Sequence, residues 1–193
     1  VFLFVAPAVS MRTLSDEYRL GTIEMLLTCP VREYQVILGK FLGAFGFLAV
    51  MLLPTLLYVL ALEVHGRPDY GQIACGYLGM LLAGGAFLAT GLLCSTLTSS
   101  QVVAYLGTLF FWLILIMAAK GLPVAAGVVE DRVAVETTNA TLLAVAERGA
   151  EVARRLAAAD PQRPITDFAN GFVDSANIAY FVLVTGAALV AAT

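Results

Sequence analysis

The chain has 193 residues, 60% hydrophobic and 13% charged, with a mean hydropathy of +0.89 and a formal net charge of -3. Soluble domains average about 45–50% apolar and about 25% charged residues, so this composition excludes an ordinary soluble domain and points to an integral membrane protein in contact with membrane lipid. The acidic balance argues against nucleic acid as a partner.

Residues 1–10, Val-Phe-Leu-Phe-Val-Ala-Pro-Ala-Val-Ser, are apolar over about half of the roughly 20 residues that a span requires. They read as the end of a truncated span, kinked by Pro7 before charged sequence begins. There is no initiator Met and the last residues are again apolar, so the sequence reads as a fragment cut at both ends inside spans.

Residues 11–40 form a polar interval between two membrane-grade runs. Ser15 followed by charged residues and then Ile23, Leu26 and Leu27 predicts a short capped helix with an apolar stripe at Leu20, Ile23 and Leu27. Pro30 ends that helix or begins the next. Such an element is too polar to span and too apolar on one face to float free, so it lies along the membrane surface or docks on a soluble partner.

Here the sequence resembles the permease subunits of ABC type-2 transporters, close to the gliding-motility and nitrous-oxide-reductase-maturation branch. Those permeases carry a segment reading Met-Arg, a short gap, Glu-x-Arg-x-Gly-Thr-x-Glu-x-Leu-Leu, Pro-Val and then Gly-Lys before the next span. Met11, Arg12, Glu17, Arg19, Gly21, Thr22 and Glu24 fit it, followed by Leu26, Leu27, Pro30, Val31, Gly39 and Lys40. The resemblance implies that 11–40 is a cytoplasmic coupling segment touching an ATP-binding subunit. Arg12, Glu17, Arg19, Gly21, Thr22, Glu24, Pro30 and Lys40 are then the coupling residues. Within that reading Arg12, Glu17, Arg19 and Glu24 supply paired charges, while Gly21 gives close approach or a break. Pro30 and Gly39 set the turn into the next span.

Spans follow at 41–62, 73–94 and 102–119. The first contains Pro54, tolerable in a membrane helix where neighbours satisfy the freed carbonyl. Between it and the next lies a polar turn with the single histidine, His65, which has no second histidine to share a metal. The span 73–94 carries Gly76, Gly79, Ala83, Gly84 and Ala86, a pattern that lets helices approach closely and predicts a place deep in the bundle or on a dimer seam. The turn 95–101 again resembles the family, through Gly91, Ser95, Thr98, Gln101 and Ala104. The span 102–119 holds Phe110, Phe111 and Trp112 near its centre, with Lys120 as terminal anchor.

Residues 121–174 are the long extramembrane stretch. Over 141–159 the spacing predicts an amphipathic helix with Leu142, Val145, Gly149, Val152 and Leu156 on one face, ended by Pro161 and Pro164. A third resemblance follows at Phe168, Gly171, Asp174, Tyr180 and Phe181, and the final span begins at 177 and runs to 193. The three cysteines, Cys29, Cys75 and Cys94, form no metal-type cluster or disulfide framework and read as small apolar packers.

Loops between spans alternate sides, so 11–40 shares a side with 95–101, opposite the turn 63–72 and the loop 121–174. Basic residues are spread almost evenly between the two sides, so charge leaves orientation open. The resemblance places 11–40 in the cytoplasm and the protein in a bacterial inner membrane.

No phosphate-binding loop is present: Tyr34 stands where a Gly would precede Gly39-Lys40 and Phe41 follows. No hydrolase elbow or zinc-protease motif occurs, and no carboxylate or lysine lies at the middle of a span. The expected fold class is all-α, a polytopic transmembrane helix bundle with a cytoplasmic coupling helix and a helical outer loop, in one membrane domain. The expected function is the permease subunit of an ATP-binding-cassette transporter, not itself an enzyme and without a cofactor of its own. ATP and Mg belong to a partner ATP-binding subunit, and a second permease subunit completes a homo- or heterodimer. The competing readings are a membrane-embedded transferase, for which only Asp167 and Asp174 approach a catalytic cluster, and a structural membrane scaffold.

Overall fold

A computed structural model describes residues 2–10, 33–66, 68–98, 100–136, 148–152 and 160–193. The elements in order are α1 (Phe2–Ser10), α2 (Glu33–Leu52), a 3-10 turn (Leu53–Thr55), α3 (Leu56–His65), α4 (Tyr70–Thr96), α5 (Gln101–Glu136), α6 (Gln162–Ala169) and α7 (Ser175–Ala192). No strand occurs among the described residues. Among the described residues four stretches are long and apolar enough to cross a membrane: Tyr34–Val64, Tyr70–Thr96, Gln101–Val128 and Ser175–Ala192. The molecule is an all-α polytopic bundle.

The chain divides into two compact units, Val1–Phe110 with Pro164–Thr193, and Phe111–Arg163. In the first unit α4 is the axis, packing most extensively on α7 and then on α1 and α2. Its apolar window is 67% buried, against 6% for Tyr34–Val64 and 17% for Ser175–Ala192. Small residues are the cause, because van der Waals contact between membrane helices grows as backbones approach. A Cβ at Gly84 would lie 2.5 Å from Leu48 Cδ1, and one at Gly85 would lie 3.3 Å from the Phe45 ring. Phe45 in turn stacks on Phe41 with ring centroids 5.8 Å apart.

The long first span is not one straight helix. Pro54 lacks an N–H and sits in the 3-10 turn, where Thr55 Oγ1 donates to Leu52 O at 2.6 Å and so satisfies a carbonyl at the break. This span begins earlier than its apolar run: α2 opens at Glu33, so Gly39 and Lys40 lie inside a helix instead of in a turn before it. Ile37 is the reason, since its side chain is buried and holds the polar first turn against the bundle.

In the second unit α5 continues past Lys120 through Gly121 and Pro123. Lys120 is therefore not a terminal anchor. It lies within the helix and its Nζ donates to Gln162 Oε1. Phe111 and Trp112 meet edge to face at 5.9 Å, with Trp112 fully buried. Of the expected helix 141–159 only 148–152 are described; they are helical, with Ala150 buried and Gly149 and Val152 exposed. The expected apolar face therefore does not point inward over this turn.

Pro164 begins a helix instead of ending one. It occupies the first turn of α6, where a missing N–H costs nothing, and Asp160 Oδ1 accepts from Gln162 N at 3.0 Å. The helix ends in a Schellman motif: Phe172 N donates to Asp167 O at 2.9 Å and Gly171 N to Phe168 O at 3.1 Å, with Gly171 at φ +84°. Asp174 then caps α7, accepting from Ala176 N at 3.1 Å.

Candidate functional site

Of the residues expected to couple the chain to a partner, Arg12, Glu17, Arg19, Gly21, Thr22, Glu24 and Pro30 lie outside the described residues, as do Cys29 and the side chain of His65. Lys40 is described: it is half-buried on α2, one turn beyond Ile37.

The two flanks of that segment converge on one place. Ser10, the last residue of α1, is buried with its side chain against Gly91, so that a Cβ at 91 would collide with Ser10 Oγ and lie 2.8 Å from Ser10 Cβ. Its hydroxyl donates to Pro7 O at 3.3 Å, which lets a polar residue terminate a buried helix end. Ile37, near the start of α2, is buried with Leu92, with Leu189 and Ala192 of α7 packed around them. Gly91 and Leu92 are consecutive residues of α4. The described residues that flank 11–32 thus meet one level of the most buried helix.

The second group of family-like residues surrounds the same level. Ser95 is fully buried, Ala104 is 1% exposed, and Thr108 Cγ2 lies 3.6 Å from where a Gly91 Cβ would stand. Thr98 Oγ1 accepts from Ser100 N at 3.2 Å and orders the turn into α5. Cys94 packs beside Gly107 with Sγ 3.8 Å from a would-be Cβ, and Cys75 and Cys94 are free thiols.

The third group forms the opposite end of α4. Phe168 is buried on Gly79, and Phe181 is fully buried with Tyr180 edge to face at 5.4 Å. Asp167 Oδ2 accepts from Asn177 Nδ2 at 3.0 Å, and Gln72 Nε2 donates to Ala169 O at 2.9 Å. Asp69 caps α4, accepting from Gly71 N and Gln72 N. Both outer carboxylates named by the enzymatic alternative therefore serve local architecture, Asp167 as a loop tie and Asp174 as a helix cap.

At this end of α4 lies an open groove of about 410 Å³. One wall is Tyr58, Val59 and Leu62 of α3, and the other is Ile73, Gly76, Tyr77 and Met80 of α4. Each set recurs at helical spacing and so occupies one face. Its floor is a hydrogen bond of 2.7 Å between Thr55 Oγ1 and Tyr77 Oη. Sequence reasoning missed this pair, since two hydroxyls far apart in the chain leave no local signal.

Residues 1–193, the whole chain, match the family described as ABC-2 family transporter protein. The chain belongs to the ABC-2 transporter family. Its curated relatives include the probable multidrug ABC transporter permease YbhR of Escherichia coli K12, 27% identical over 103 residues, an alignment covering 53% of this chain and 27% of that protein. The YbhR protein of Escherichia coli O157:H7 matches to the same extent. The aligned part thus spans about a quarter of the length of these relatives. No solved structure matches. Of the three clusters of family-like residues, the second lies around Gly91 and the third at the far end of α4, while the first, apart from Gly39 and Lys40, lies outside the described residues.

Proposed function

We propose that this ABC-2 permease provides the membrane pathway of a transporter, in a bacterial inner membrane, and that residues 11–32 receive the movement of a separate ATP-binding subunit. The observation that carries the reading is that both flanks of that segment meet one helix, Ser10 on Gly91 and Ile37 with Leu92. A force applied to a segment held at both ends on one rigid helix moves that helix instead of being lost in a loose loop. Hydrolysis occurs in the partner, and a second permease subunit completes the pathway. The Met-Arg to Gly-Lys pattern over 11–40 favours the gliding-motility and nitrous-oxide-reductase-maturation branch, while the YbhR similarity favours a drug-exporting relative. The structural roles of Asp167 and Asp174 weigh against the transferase reading.

The test is charge reversal in the full-length protein. Arg12→Glu and Glu24→Lys lie in the polar segment and leave membrane insertion unchanged. Each strands an opposite charge at a closed interface, where loss of one partner costs about 3–5 kcal/mol. Co-purification of the ATP-binding subunit or transport-linked ATP hydrolysis therefore falls, whereas Arg148→Glu, on an exposed residue of the second unit, spares both. Retention of both activities in Arg12→Glu and Glu24→Lys, with loss in Arg148→Glu, would overturn the assignment.

A further inference from the structure

The groove between α3 and α4 has a cause in the fold. On the far side of the Pro54 turn, α2 lies close to α4 because Gly84 and Gly85 admit Leu48 and Phe45. Beyond the turn α3 finds no such surface and packs chiefly on the turn itself. Tyr58 and Leu62 are left 74% and 55% exposed. Both walls belong to stretches long and apolar enough to cross a bilayer. From Gln72 at the rim to Met80 at depth, α4 rises about 12 Å at about 1.5 Å per residue, well into a hydrocarbon layer about 30 Å thick.

The chemistry of the floor selects the occupant. Thr55 has one hydroxyl proton and gives it to Leu52 O, so the proton in the contact with Tyr77 comes from the tyrosine. Both protons are consumed within the protein, and the floor asks no hydrogen bond of a ligand. Apart from the Tyr58 hydroxyl the walls are apolar. Polar groups stand at the rim, where the Gln72 carboxamide donates to Ala169 O. A groove that is open to hydrocarbon along its side, satisfied at its floor and largely apolar along its walls fits an acyl chain with its head group outside.

We propose that the groove between Leu56–His65 and Tyr70–Thr96 is a binding site for one acyl chain of a bilayer lipid, with the head group at the Gln72 rim. The chain supplies the packing that the Pro54 break denies to α3. This inference rests on the two stretches crossing the membrane and is independent of substrate and partner.

Gly76 makes the site testable, because a Cβ there meets nothing within 4 Å and a large side chain enters the groove without striking the backbone. The full-length protein is reconstituted in phosphatidylethanolamine and phosphatidylglycerol vesicles containing phosphatidylcholine with a diazirine on one acyl chain, then irradiated and mapped by peptide mass spectrometry. Labelling at Tyr58, Tyr77 and Met80 is expected to exceed that at Leu183 and Val190, which are 71% and 74% exposed on α7. Gly76→Trp should bring it down to their level while leaving theirs unchanged, with Gly76→Leu as a smaller filler if the tryptophan variant does not fold. Equal labelling of groove and reference positions in the unmodified protein overturns the proposal without any variant. So does labelling indifferent to a folded Gly76 variant, or cross-linking of Tyr58→Cys to a second copy in place of lipid. Loss of ATP coupling in Arg12→Glu has no bearing on any of these readouts.

Discussion

Phe168 rests directly on the bare backbone of Gly79: a Cβ at 79 would lie 2.5 Å from Phe168 Cβ and 2.8 Å from its Cγ. One glycine on the central helix thereby fixes where the short helix α6 docks.

Gly79→Ala should destabilise the protein by about 1–3 kcal/mol through overpacking, and Phe168→Ala by about 3–5 kcal/mol through the cavity it leaves. Because the two side chains compete for one space, the double variant should lose less than the sum. Unfolding in detergent, followed through the four variants of the cycle, checks this. Strict additivity would remove the contact from the account.

The turn after α6 makes a separate demand. Gly171 has φ +84°, and a Cβ there also meets Gln72 at 3.4 Å. Gly171→Ala should cost about 1–2 kcal/mol for the left-handed conformation. Asp174→Ala, which removes the cap of α7, should cost about 1 kcal/mol. Asn at 171 should be milder than Ala, an order that thermal unfolding resolves.

Gly91→Ala drives a methyl group into Ser10 and should cost about 1–3 kcal/mol. Ser10→Gly in the same chain removes the obstacle and should restore stability. If 11–32 transmits force through this contact, transport-linked ATP hydrolysis in the single variant falls further than unfolding accounts for, and the double variant recovers it. Hydrolysis tracking stability alone would separate the contact from coupling.

The Thr55–Tyr77 bond has a direction, and substitutions should reveal it. Tyr77→Phe removes a donor and leaves Thr55 bonded to Leu52, so the cost is about 0.6 kcal/mol, the average for hydrogen bonds between membrane helices. Thr55→Val leaves the tyrosine proton without its acceptor and should cost more, about 1–3 kcal/mol. Equal losses in an unfolding titration would reverse the assigned donor.

Hydropathy made the bundle legible, because a helix facing lipid is apolar nearly all round. What it concealed were places where one residue outweighs its neighbours. Glu33, Tyr34 and Gln35 look like loop, yet the buried Ile37 helps seat that turn. Two prolines near 161–164 read as a stop, yet Asp160 turns them into a start. Lys120 and Gly121 mimic the end of a span, and apolar sequence on both sides carries the helix past them. The small residues of α4 announced close packing without naming partners, since Phe168, Leu48 and Ser10 approach from distant parts of the chain. Over 11–40 the legible signal was the family pattern itself; of its residues only Gly39 and Lys40 fall among those described.

The burial of Tyr70–Thr96 has a consequence for biogenesis. Its broadest neighbour, Ser175–Ala192, is the last element described, and ribosomes deliver sequence at about 5–20 residues per second. For several seconds the glycine-lined flank that will receive Phe168 and the final helix waits without either. Membrane quality control meets the nascent chain in that state. Variants that slow arrival of the last helix should therefore be degraded more than their finished stability warrants.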